Sequence, residues 1–141
     1  MQEFSLIEAQ LFRLLVQFFG KDNVIPRMRV VAVCGGVLSP DLSPLVREWA
    51  AQANCLFTIV DTQDTPKLVV EFFAGFDSYV DAREEEHQRM LPELLAQAGV
   101  HYVTFSEEEL NEVLDPRGGV DFYQLLRAKF ESLEVVSKIP V

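Results

Sequence analysis

Glu71 stands inside an otherwise apolar run, KLVVEFF. Burying a carboxylate costs several kcal/mol unless it is paired or hydrogen-bonded, so Glu71 is the first residue to consider for metal-ion or acid–base chemistry, with Arg29 as the expected neutralising neighbour. Glu8 is a second acid, but Ser5 lies three residues before it, and that capping-box spacing accounts for it as a helix-starting residue. His87 falls in a polar run where Glu85 and Arg89 are four residues apart, which predicts a solvated helix face rather than a catalytic role. His101, in VHYVTF, reads as a sheet histidine, with no second histidine at metal-ligand spacing. Cys34 and Cys55 flank one connection and could lie close together. Lacking CxxC spacing and a partner histidine, they read as reduced, buried, small hydrophobes. Gly35-Gly36 has neither a phosphate-loop lysine nor dinucleotide-binding spacing and predicts a turn. No serine occupies a nucleophile elbow, so nucleophilic catalysis has no positive support.

The elements that must position Glu71 follow from caps and periodicity. After Ser5, the stripe Leu6, Leu11, Leu14, Leu15, Phe18 and Phe19 predicts a helix that Gly20 stops. Residues 28–34 (MRVVAVC) have the β-branched character of a strand that Gly35-Gly36 closes. Ser43 as N-cap and Pro44 at the first helical position predict a helix over 45–53. Residues 55–61 (CLFTIVD) and 67–73 (KLVVEFF) predict two strands joined by a hairpin-type turn at 62–65 and Pro66. Both are largely apolar rather than alternating, which predicts a sheet covered by helices on both faces. A helix over 78–98 follows, with Pro92 expected to kink or divide it. A strand at 100–105, a second capping box at Ser106 and Glu109, a turn at 115–119 and a final amphipathic helix over 122–133 complete the order.

Antiparallel pairing across the turn places Glu71 opposite Leu56, and a slip of one or two residues brings Cys55, Phe57 or Thr58 there instead. None is an acid. Asp61 is roughly 16 Å along the strand from position 56 at about 3.3 Å per residue, so neither it nor Asp64 can share a metal ion with Glu71 in a regular hairpin. Regular alternation puts Glu71 and Phe73 on one face with Leu56 and Asn54 as their cross-strand neighbours, and so predicts an apolar surround that suits a hard cation poorly.

With the Ser43 helix taken as an insertion, the order is helix, strand, strand, strand, helix, strand. Together with the segments CLFTIVDTQDTPKLVVEFFAG and LLAQAGVHYVTF, it resembles the PD-(D/E)XK, restriction-endonuclease-like superfamily. Within it the chain looks like a family of small nuclease-related domains of unknown function. That family's pattern is a Cys-Asp-Phe strand, a short turn, a strand ending in Ile-Glu-Leu-Asp, a helix, and an Ala-Gly-aliphatic strand. The first helix with Glu8 and residues 26–33 also match its opening. The resemblance spans roughly residues 4–110 and leaves 116–141 as a C-terminal helical extension. It implies an α/β restriction-endonuclease-like core in which carboxylates of the second and third strands hold Mg²⁺, activate a water and neutralise the scissile phosphate. Carried over residue by residue, Glu71 takes the glutamate position, the acid after it becomes Phe73, and the second-strand Asp becomes Leu56. The implied reading is a catalytically inactive interaction or assembly module without a cofactor. The alternative is a divergent Mg²⁺-dependent DNA or RNA endonuclease using Glu71, Glu8 and a migrated acid such as Asp77.

The whole chain bounds these readings. At 141 residues it is the size of a single domain, 1–141, that can bury about two-thirds of its unfolded surface. Twenty-two acids against twelve bases give a net charge of −10, and the basic residues form no run, which disfavours free nucleic acid. No apolar stretch reaches the length of a membrane span, and acids stand where a signal peptide would carry Lys or Arg, so a soluble cytoplasmic protein without membrane contact is expected. The expected partner is another protein or a second copy of the chain. Candidate surfaces are Phe72, Phe73 and Phe76, the acidic turns at 84–86 and 107–109, and the final helix paired across a two-fold axis.

Overall fold

The computed structural model describes residues 5–36, 38–73, 82–115, 117 and 121–133. Its elements are α1 (Leu6–Phe19), β1 (Val24–Arg29), a short α2 (Val30–Val33), α3 (Pro44–Gln52), β2 (Asn54–Val60), β3 (Pro66–Phe73), α4 (Ala82–Ala98), β4 (His101–Ser106), α5 (Glu107–Leu114) and α6 (Phe122–Leu133). The strands form one mixed sheet in the order β1-β2-β3-β4. β1 with β2 and β2 with β3 are antiparallel, and β3 with β4 is parallel. Antiparallel neighbours can be joined by a tight turn, whereas parallel neighbours need a crossover, which α4 supplies.

Helices cover both faces, as the apolar strands predict. On one face Leu11, Leu15 and Phe19 of α1, Leu110 of α5, and Phe122 and Leu126 of α6 pack on Phe57, Ile59, Leu68, Val70, Val103 and Phe105. On the other, Val30 and Val33 of α2, Ala50 of α3, and Leu91, Leu94 and Leu95 of α4 pack on Cys55 and Val69. Fully burying a residue such as Leu11 or Leu15 stabilises by about 1.5–3 kcal/mol. A helix cap contributes about 1 kcal/mol, so α1 is held by its stripe more than by its ends. The cap is nonetheless as expected: Ser5 Oγ accepts from Glu8 N and Glu8 Oε1 from Ser5 N. The second capping box, at Ser106 and Glu109, and the Ser43 cap of α3 also form.

The hairpin register agrees with the sequence reading over Phe57, Thr58 and Ile59, which face Val70, Val69 and Leu68. Beyond Ile59 it shifts, so that Val60 rather than Asp61 faces Pro66. Asp61 has left the ladder to build the turn: its Oδ1 accepts from Gln63 N and Thr65 N, and Asp64 adopts φ 62°, a conformation Asp tolerates.

The first strand needs correction. β1 ends at Arg29, and Val30–Val33, expected to continue it, form a turn of helix. Tertiary context overrides β-propensity here. Val30 N donates to the carbonyl of Ala53, and Val30 and Val33, three apart, both bury in the second layer. Gly35 and Gly36, at φ 88° and 85°, then reverse the chain as predicted. β1 also accommodates Pro26, which its place at the sheet edge permits. α4 runs through Pro92 undivided.

Candidate functional site around Glu71

Glu71 is buried, with 7% of its surface exposed. The neutralising neighbour is not Arg29, whose guanidinium donates to the carbonyl of Ala51. Both carboxylate oxygens are engaged elsewhere: Oε2 accepts from the backbone N–H of Leu56 at 2.7 Å, and Oε1 lies 3.1 Å from Nε2 of His87. One bond ties β3 to β2 and the other ties it to α4.

Leu56 has an N–H to offer because β1 and β2 invert their facing at this point. Phe57 belongs to the layer under α1, yet Cys55, two residues away and expected to share its face, is buried under α2, α3 and α4. β1 inverts in step. Pro26 faces Phe57 and Met28 faces Cys55, the ladder skips the position between them on each strand, and Arg27 takes φ 55°. The β2–β3 pairing likewise stops at Phe57 and Val70. An unpaired buried N–H would cost about 1–3 kcal/mol, and the Glu71 carboxylate supplies the missing acceptor. Leu56 packs its side chain toward the α1 layer, so regular alternation, which made it a side-chain neighbour of Glu71, does not hold.

His87 is the site residue that sequence reasoning missed. Instead of a solvated face it occupies the contact between α4 and the sheet. Its side chain is 20% exposed, and its ring meets the indole of Trp49 edge-on with centroids 5.5 Å apart. The available signal was spacing: His87 precedes Leu91, Leu94 and Leu95 by four, seven and eight residues, the stripe that faces the core. Around the carboxylate, burial raises the Cys55 thiol and the Tyr102 phenol, and the charge of Glu71 adds to both. These groups stay protonated and are poor nucleophiles. Burial also raises the Cys34 thiol, and both cysteines are free.

Of the other predicted residues, Glu8 and Asp61 lie apart from Glu71. Glu8 caps α1 on the face opposite the His87 contact. Asp61 is fixed in the turn, where the N–H of Thr65 foremost, with Gln63 N–H and Lys67, holds its carboxyl below the usual range. Phe72, expected on an interaction surface, is half-buried against the α1 layer. The Phe73 side chain, Phe76 and Asp77 lie outside the described residues, as does the Glu85 side chain. His101 pairs in the ladder with Leu68. At the acidic turn, Glu107 and Glu108 are exposed, whereas Glu109 is bound by Ser106 N and Lys129.

Fold and site together define an α/β domain with a four-stranded mixed sheet, in which a buried carboxylate joins a strand amide to a helix histidine. Among the described residues no three His, Cys, Asp or Glu side chains converge as a metal site, and no helix is long and apolar enough to cross a membrane. No family model, curated protein or solved structure matches the chain.

Proposed function

We propose that this chain is a restriction-endonuclease-like module whose metal-dependent chemistry has been lost and which serves in interaction or assembly with a protein partner or a second copy of itself. The observation that carries the reading is the full engagement of Glu71. A Mg²⁺ site of the nuclease kind needs carboxylate oxygens free to meet the ion, and it needs more than one acid. Here one oxygen accepts a strand N–H and the other meets His87. The resemblance supplies the ancestry, and the element order supports it. Leu56, at the position where that family has an acid, contributes its amide and turns its side chain away. Four of the described basic groups are engaged within the chain: Arg29 with Ala51, Arg47 with Ser39, Lys67 with Asp61 and Lys129 with Glu109. A net charge of −10 with no run of basic residues further disfavours a phosphate backbone.

The test is incubation of the purified chain with plasmid DNA and with single-stranded RNA in Mg²⁺ or Mn²⁺, alongside calorimetric titration of Mn²⁺. Neither cleavage nor saturable ion binding is expected. Cleavage that Glu71→Ala abolishes would overturn the proposal in favour of a divergent endonuclease with relocated acids.

A further inference from the structure

His87 has a second side. Beyond its contact with Glu71 it lines an open cleft of about 450 Å³ between α3 and α4, with Leu45, Glu48, Trp49, Gln52 and Glu86 around it. That volume lies in the range of small-molecule sites, roughly 300–1,000 Å³. Glu48 and Glu86 alone would be a pair of solvated acids. The cleft gains definition from its aromatic wall: Trp49, the only tryptophan of the chain, is held edge-on against a histidine that is itself fixed by a buried carboxylate. The indole is thus positioned before any ligand arrives. No lysine or arginine lines the cleft among the described residues, and neither Glu48 nor Glu86 has an ion-pair or hydrogen-bond partner for its side chain there. Leu45, 60% exposed, supplies an apolar rim.

We propose that the cleft between α3 and α4 binds an alkylammonium group, with the cation between Glu48, Glu86 and the Trp49 indole and the alkyl stem against Leu45. An aromatic face attracts a cation through its quadrupole, most strongly for tryptophan, and a half-enclosed cleft strengthens the attraction by removing water. An anion would meet two carboxylates with Glu71 behind them, and a neutral apolar ligand would leave both acids uncompensated. The cleft therefore selects by charge first and by the stem second. This inference stands whether or not the chain cleaves nucleic acid.

The test uses the complete chain and Trp49 as its own reporter. Butylamine is titrated while tryptophan fluorescence and, separately, heat are followed, with butanol and butyrate as neutral and anionic controls. Saturable binding of butylamine is expected, with none of either control over the same concentrations. Exchanging both acids (Glu48→Gln with Glu86→Gln) should weaken binding at least tenfold. Far-UV circular dichroism checks that this variant is folded, and the single Glu48→Gln change, at an exposed position, should give a smaller loss in the same direction. An N-acetyl-lysine methylamide arm separates sources of the same chemistry: tighter binding than butylamine assigns the ammonium to a lysine of a partner chain, and weaker binding to a free amine. The proposal is overturned if neither amine binds in either measurement, if butanol or butyrate binds as well as butylamine, or if the charge-neutral variants bind undiminished.

Discussion

The two layers that sandwich the sheet are built on different terms. Under α1, α5 and α6 every buried member of the cluster is apolar; the rings of Phe12 and Phe57 stack, and those of Phe105 and Phe122 meet at a tilt, both pairs with centroids 5.5 Å apart. Under α2, α3 and α4 the leucines of α4 share the space with Glu71, His87, Cys55, Tyr102 and Trp49. The first layer constrains volume. The second also constrains charge and hydrogen bonding, because a polar group taken out of water must keep its partner. A substitution should therefore act through packing in one layer and through partner loss in the other.

The largest expected effect tests the packing layer. Phe57→Ala removes a fully buried ring stacked on Phe12 and should cost about 3–5 kcal/mol in urea unfolding. A loss under 1 kcal/mol would mean that this layer is loosely packed and that the contrast is false.

Next comes Glu71→Ala, expected to cost about 2–4 kcal/mol because it strands the Leu56 N–H and deprives His87 of its partner. Glu71→Gln keeps an acceptor for Leu56 and should lose only about 1 kcal/mol. The difference between the two variants separates the hydrogen bond from the charge. If Glu71→Ala is neutral or stabilising, Glu71 is an unsatisfied remnant and not the acceptor that closes the β1–β2 inversion. A double-mutant cycle with His87→Ala sharpens the point, since residues in contact couple by about 0.5–3 kcal/mol whereas distant ones add. Coupling within error of zero would remove His87 from the site.

The same contrast explains what could be read from the sequence. The α1 layer was legible because it obeys periodicity: the Leu11, Leu15 and Phe19 stripe, the two capping boxes and the register of Phe57 with Val70 all follow from local rules. Around Glu71 those rules fail together. Regular alternation predicted Leu56 as a side-chain neighbour, but the strands invert at Arg27 and Leu56, a non-local event that no single strand pattern encodes. Val30 and Val33 read as strand because β-branched residues favour it, while the bond from Val30 N to Ala53 and burial under α3 made helix the better state. His87 looked solvated because its immediate neighbours are charged, though its distance from Leu91 and Leu94 placed it on the inner stripe. The buried acid itself was the dependable signal. Its partner was not, since the choice between Arg29 and His87 depended on which helix crosses β3.

The smallest effect concerns a carboxylate at the margin of the packing layer, where charge should matter little. Burial raises the Glu109 carboxyl, but the Ser106 N–H and Lys129 Nζ at 2.9 Å outweigh it and hold the group below its ordinary value of 4.5. A depressed carboxylate stabilises the folded state above its unfolded-state value, and the contribution disappears as pH falls through the lowered folded-state value. The relevant window thus lies below about pH 4.5. Glutamine at this position can still complete a capping box, so Glu109→Gln isolates the charge from the cap. With a third of its side chain exposed, Glu109 is screened by solvent, and the variant should lose only about 0.5 kcal/mol at pH 7. Thermal unfolding of parent and variant should converge as the pH falls through the lowered folded-state value, below which both carry a neutral group. A gap that persists there would place the effect in the geometry of the Ser106 cap. A gap at pH 7 above about 2 kcal/mol would exceed what a screened pair supplies, and would make the α5–α6 margin as dependent on charge as the layer that holds Glu71.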